Sequence, residues 1–272
     1  MSTLKAGDVV ARKSHGGDLF FKIAEKITNE KGNEVFILRG IQYRLEADAE
    51  IDDLVKINYR QAYLRTSANM HMYRRYIKIV NYLDNILRLL NRDTKPGRIL
   101  HIDGDDSFLS NCLSHYKKEG IESRGEFIKE NEQPGQIERL LNKYNPDILV
   151  LTGHDGLKKD SGNINSINNY RNSKYFIEGV KEARRIEPDL DGLCIFAGAC
   201  QSYFEAIMAE GANFASSPGR VMIDALDPSF VSGKVAITDE RKIVTPEAVA
   251  KITKSGSKGV GGIDTKGRLR QI

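Results

Sequence analysis

Downstream of Pro96-Gly97 the chain alternates short apolar runs with amphipathic stretches, and this rhythm constrains the fold more than any other feature. Arg98 to Asp103 reads as a strand, Ser107 to Glu119 as a helix, Gly125 to Lys129 as a strand and Gln136 to Tyr144 as a helix. The clearest strand, Asp147 to Leu151, follows Pro146 and runs out into Thr152-Gly153-His154-Asp155-Gly156. A helix is expected over Lys174 to Ile186, a strand over Leu193 to Ala197, a helix over Gln201 to Glu210, and strands over Asn213 to Ser216 and Val235 to Thr238. Such alternation predicts an α/β domain, residues 97–272, with a parallel sheet covered by helices on both faces. The glycine-rich end, Ser255 to Gly267, is expected to be mobile.

Upstream the rhythm differs. Short runs at Asp8 to Arg12, Leu19 to Ile27, Glu34 to Arg39, Gln42 to Leu45 and Leu54 to Ile57 are separated by Gly16-Gly17, Lys31-Gly32-Asn33 and Gly40. They predict a small SH3-like β-barrel over residues 1–58. Residues 59–96 read as a helical linker, with Ile77, Val80, Leu83, Leu87 and Leu90 three or four apart. Lys56 to Arg98 holds ten Lys or Arg against Asp84 and Asp93, a basic arm read first as a solvated helix face, with nucleic acid unexpected as a partner.

With 272 residues, 40% of them hydrophobic and 29% charged, the chain has the composition of a globular protein and not of a disordered one. Three cysteines, Cys112, Cys194 and Cys200, make neither a disulfide framework nor a paired zinc motif. The opening MSTLKAGDVV lacks a signal-peptide core and no run approaches the length of a membrane span, so a cytoplasmic location is expected.

In an open parallel sheet the loops after the strands meet at one edge, which is where ligands bind. Three strand ends there carry chemistry: Asp103-Gly104-Asp105-Asp106, Gly153-His154-Asp155-Gly156 and Ala197-Gly198-Ala199-Cys200-Gln201-Ser202. A thiol is a strong nucleophile only as thiolate, and a helix N-terminus or an imidazole favours that form. Cys200, just ahead of the helix expected from Gln201, meets the first condition, and His154 is the one histidine that follows a strand of this quality. The pair predicts a cysteine acyl-transfer site needing no metal or organic cofactor, with backbone amides near both residues as oxyanion donors. Cys194 within an apolar strand and Cys112 on a helix face read as core.

His154 followed 46 residues later by Cys200, each closing an apolar strand, resembles the caspase, legumain and gingipain group of cysteine peptidases, where the separation is about 50 residues. Asp155-Gly156 follows His154 where that group has glycine, which leaves Gly153, Asp155 and Gly156 as alternatives for the amide that joins Cys200 in an oxyanion hole. A second resemblance spans nearly the whole chain. Val9 to Asp18, Leu100 to Asp105, Leu151 to Gly156 and Phe196 to Ser202 together resemble the YabG family of sporulation-specific cysteine proteases of endospore-forming bacteria. That resemblance implies an endopeptidase that processes spore coat and germination proteins, cuts after Arg or Lys, and works beside the forming coat. For such specificity Asp103, Asp105 and Asp106 are the expected pocket carboxylates, with Asp155 or Asp224 next, and at least Asp106 is also expected to cap the following helix. The competing readings are a response-regulator receiver, which would need an acceptor aspartate where Thr152-Gly153-His154 stands, and an adaptor that binds through its barrel and basic arm.

Overall fold

A computed structural model describes residues 4–28, 32–60, 62, 94–158 and 163–272. The expected linker helix, 59–96, lies almost wholly outside the described residues.

Strands β1 (Val9–Arg12), β2 (Phe20–Thr28), β3 (Glu34–Gly40), β4 (Glu46–Glu50) and β5 (Leu54–Lys56) make one antiparallel sheet in the order β4-β3-β2-β1-β5. Its two outer strands, β4 and β5, share no ladder with each other. Alternation turns Phe21, Ile23, Phe36, Leu38, Ala47 and Ala49 to one buried face. The stretch Gln42 to Leu45, expected as a strand of this sheet, is instead the tip between β3 and β4. The Gly40 N–H donates to Leu45 O at 2.9 Å, and regular pairing begins one step inward at Arg39 and Glu46. The peptide groups of Gln42 and Arg44 within the tip find partners outside the sheet.

The α/β part begins after β6 (Thr94–Lys95), with β7 (Ile99–Asp103), α1 (Asp106–Lys118), β8 (Ser123–Phe127), α2 (Ile137–Tyr144), β9 (Ile148–Thr152), α3 (Ser173–Ile186) and β10 (Cys194–Ala197). It continues through α4 (Phe204–Ala209), β11 (Phe214–Ser216), α5 (Asp227–Ile237), β12 (Ile243–Val244), α6 (Pro246–Ile252), α7 (Gly256–Gly259), β13 (Val260–Gly262), β14 (Thr265–Lys266) and β15 (Arg270–Gln271). A six-stranded sheet runs β13-β11-β10-β9-β7-β8, parallel except for β13. Because its strands are buried on both sides, successive apolar residues serve opposite layers. Ile148, Val150, Cys194 and Phe196 pack with α1, α5 and α6, whereas Leu149, Leu151, Ile195 and Ala197 pack with α2, α3 and α4.

Three expectations change here. Val235 to Ile237 end α5 and do not form a strand, because a run buried on all sides has no period to distinguish the two. Ser255 to Gly267 carries regular structure, α7, β13 and β14, and β13 extends the main sheet antiparallel to β11. The helix expected from Gln201 begins only at Phe204, since Gly198 at φ +104 and Gln201 at φ +54 first turn the chain through left-handed conformations.

Candidate functional site

β9 and β10 are neighbours in register, Leu151 opposite Ala197, so the His154 and Cys200 loops leave the same edge of the sheet. Asp155 ties them together. Its buried carboxylate accepts from Gly156 N and Asn172 N, both at 2.8 Å, from the Ser173 hydroxyl, and from Ser202 Oγ at 2.8 Å in the cysteine loop. Thr152 Oγ1 adds a bond to Gly198 O at 2.9 Å.

His154 is buried, its ring stacked on Phe108 with centroids 5.2 Å apart, and its backbone N–H donates to Glu130 Oε1 at 2.8 Å. Glu130 is held in turn by Arg39 of β3 at 3.0 Å. The ring Nε2 faces Gly40 O at 3.4 Å and the Asp105 carboxylate at 3.9 Å, both acceptors, which assigns the proton to Nε2. Nδ1, with no partner among the described residues, is then the basic nitrogen. Burial lowers the pKa of this imidazole, so it stands neutral and able to take a proton.

Cys200 is buried among Leu45, Val10, Phe36, Leu38 and Ile223, in the core that the N-terminal sheet forms against the α/β part. Its sulfur accepts from Ile223 N at 3.0 Å, and no hydrogen bond joins it to His154. Burial pushes the thiol pKa well up, and the helix that was expected to stabilise the thiolate starts four residues later.

The tip of the β3–β4 hairpin lies across this edge. Arg44 O accepts from Cys200 N and from Asp155 N, each at 3.1 Å, so two of the four expected oxyanion amides converge on one carbonyl oxygen. The Gly156 N–H is spent on Asp155, and Gly153 offers its carbonyl to the Arg44 guanidinium at 3.4 Å. On one side of that carbonyl, Arg44 N donates to Ile223 O at 3.0 Å and Ala225 N donates to Gln42 O at 3.2 Å, an antiparallel pairing. On the other, Leu45 bridges Asp155 in parallel and Glu46 N donates to Asp155 O at 2.8 Å. Gly156 permits that approach, since a Cβ there would stand 2.3 Å from Glu46 O.

The Arg44 side chain is fully buried, its Nη1 on both oxygens of Asp103 at 2.9 and 3.1 Å and its Nη2 on Ala225 O at 2.8 Å. Burial would raise the Asp103 pKa, yet the guanidinium beside it, with His101 behind, holds it down at about 2. Asp105 and Asp106 take other places. Asp105 caps α1 by accepting from Phe108 N at 2.9 Å, which displaces the cap expected at Asp106, an exposed residue in the first turn. Asp224 pairs with Lys254 Nζ at 3.0 Å, and the Asp155 carboxylate is occupied in joining the loops. Cys194 and Cys112 lie in the apolar layer beneath the sheet, as their positions in strand and helix predict.

Arg44, Glu130 and Ile223 escaped the sequence reading. Two of them act through backbone or through a fold contact that no local pattern encodes, but Arg44 left a trace: a lone arginine in the apolar-aromatic stretch Ile41-Gln42-Tyr43-Arg44-Leu45, just after a turn glycine.

The fold and the site define an α/β protein that holds an extended peptide segment, arginine inward, across the carboxyl edge of its parallel sheet. The model of the YabG peptidase U57 family matches residues 5–272, and the chain belongs to that family. It is 40% identical over 277 residues to the sporulation-specific protease YabG of Bacillus subtilis (strain 168), covering 97% of this chain and 96% of that one. Among solved structures, the isolated REC domain of RcsB from Salmonella enterica serovar Typhimurium, in the presence of phosphomimetic BeF3-, matches 59% of this chain and 100% of its own length, with 16% identity and a TM-score of 0.35, too distant a likeness to bear on function. Among the described residues no helix is long and apolar enough to cross a membrane.

Proposed function

We propose that this chain is a cysteine endopeptidase that processes spore coat and germination proteins and cuts after Arg or Lys, with Cys200 as nucleophile and His154 as general acid/base. One observation carries the reading: Arg44 lies with its carbonyl on two backbone amides, one of them the amide of Cys200, while its guanidinium rests on Asp103. A polypeptide substrate needs the same three provisions, namely antiparallel pairing along residues 223–225, donors aimed at the oxygen that becomes negative, and a buried carboxylate for the side chain before the cut.

In this mechanism the thiol gives its proton to Nδ1 of His154 and the sulfur attacks the carbonyl carbon. The amides of Cys200 and Asp155 hold the oxyanion. His154 returns the proton to the departing amine, leaving a thioester, and then draws a proton from the water that hydrolyses it. The Glu130 bond and the Phe108 stack hold the His154 loop and ring in place during both transfers. The N-terminal sheet is read as an SH3-like barrel, residues 1–58, joined by a linker, 59–96, to a caspase-like peptidase domain, 97–272, and the site of action is the cytoplasm of the sporulating cell beside the forming coat.

The deciding experiment is stoichiometric labelling with a peptidyl ketone carrying arginine beside the reactive carbon. One label per chain on Cys200 is expected, with loss of peptide hydrolysis in Cys200→Ala and His154→Ala on the order of 1000-fold or more. Turnover retained in Cys200→Ala would overturn the mechanism.

A further inference from the structure

We propose that the chain is its own first substrate: the Arg44–Leu45 bond at the tip of the β3–β4 hairpin is cut in cis by Cys200, and until then the tip fills the cleft. The inference rests on the proposed peptidase reading and adds to it a particular bond.

A loop that merely blocked a cleft would have no reason to present a carbonyl to the two amides that a tetrahedral intermediate requires. Here Arg44 O receives both at 3.1 Å, and Ile223 O, which accepts from Arg44 N at 3.0 Å, lies 3.6 Å from the Cys200 sulfur, so the thiol and the Arg44 peptide share one neighbour. The segment is engaged on both sides of the bond. Gln42 and Arg44 pair antiparallel with residues 223–225, and Leu45 and Glu46 pair with Asp155. A fully buried arginine held by Asp103 and Ala225 O fixes which bond is presented, because a one-residue slip would pull the guanidinium off its carboxylate and move the carbonyl away from the amides.

The cut consumes one water. The sulfur bonds to the Arg44 carbonyl carbon as the thiol proton passes to His154. The carbon–nitrogen bond to Leu45 then breaks with that proton delivered to the Leu45 nitrogen. Water hydrolyses the thioester, giving an Arg44 carboxylate and regenerating the thiol. Both halves stay in the N-terminal sheet, since β3 and β4 pair from Arg39 and Glu46 to Val35 and Glu50, so cleavage opens the tip without dismantling the sheet. The free Arg44 end can then withdraw and admit an external peptide to the same amides and the same carboxylate.

The test follows the intact mass and N-terminal sequence of freshly purified full-length chain over time and over a hundredfold dilution. A species beginning at Leu45 is expected, formed at a rate independent of concentration and absent in Cys200→Ala. Leu45→Pro, which keeps the Arg44 anchor but leaves a tertiary-amide nitrogen at the bond, is expected to remain whole, as is Arg44→Gln, and an external arginine peptide is assayed on every variant. If wild type hydrolyses that peptide while Arg44–Leu45 stays intact, self-cleavage is overturned and the peptidase reading stands. If neither wild type nor Arg44→Gln hydrolyses it or labels at Cys200, the peptidase reading itself fails. Cleavage in Cys200→Ala, or a rate that rises with concentration, would also overturn cutting in cis.

Discussion

Arg44 and Asp103, 59 residues apart in sequence, meet as a fully buried ion pair with Nη1 at 2.9 Å from the carboxylate. The pair joins the N-terminal sheet to the first strand of the parallel sheet, and its environment decides how each residue behaves.

Asp103→Asn leaves a guanidinium buried beside a neutral amide. Removing one partner of such a pair costs about 3–5 kcal/mol, so the thermal midpoint should fall clearly, and kcat/KM for peptides with arginine before the cut should drop on the order of 100-fold or more relative to matched leucine peptides. An unchanged preference for arginine would place the specificity charge elsewhere. The carboxylate's pKa is held at about 2, below its ordinary value, so the stability it contributes is present above the ordinary carboxylate pKa and lost as pH falls through about 2.

Asp105→Ala should behave differently, although Asp105 is only two residues away. It removes the cap on Phe108 N, at about 1 kcal/mol, and the acceptor facing His154 Nε2 at 3.9 Å. Nearby negative charge raises an imidazole pKa, so the variant's acid limb in kcat/KM should move to lower pH while the preference for arginine persists. An acid limb that stays fixed would show that Asp105 does no more than cap the helix.

Glu46, two residues past Arg44, has its pKa pushed up to about 7 because burial penalises the charge more than Arg39 and Arg171 relieve it, with Glu130 and Asp155 adding to the rise. A raised folded-state pKa means stability fully present below the ordinary glutamate value and lost as pH climbs through about 7. Melting curves of Cys200→Ala should therefore show stability falling between about pH 5 and pH 8, and the Glu46→Gln double variant should show less of that fall. Parallel curves for the two proteins would remove Glu46 from the account.

Cys194→Ala tests whether the three cysteines differ in kind. Cys194 sits in the layer beneath β10, with its pKa pushed up to about 12 by burial, and truncation should cost about 1–2 kcal/mol while leaving peptide hydrolysis intact. Hydrolysis lost from a folded Cys194→Ala protein would contradict the assignment of Cys200.

The sequence alone determined the order of strands and helices from Ile99 to Ser216, the edge at which their loops meet, and the residues that collect there, because period and turn chemistry are local properties and a parallel sheet sends every post-strand loop to one side. Its errors at Gln201 and Val235 arose where left-handed turns or all-round burial erase periodicity. What only the tertiary structure decided is the content of the site. Which amides converge on one oxygen, which aspartate faces a guanidinium, and why the Cys200 thiol lies under the N-terminal sheet all depend on a hairpin tip, Gln42 to Leu45, in which the peptide groups of Gln42 and Arg44 pair with residues more than a hundred positions away. Local pattern made that tip a strand in its own sheet. Only the packed chain shows that its hydrogen bonds are satisfied across the cleft, since the partner of a backbone group is set by the fold that brings it near and not by the residues beside it.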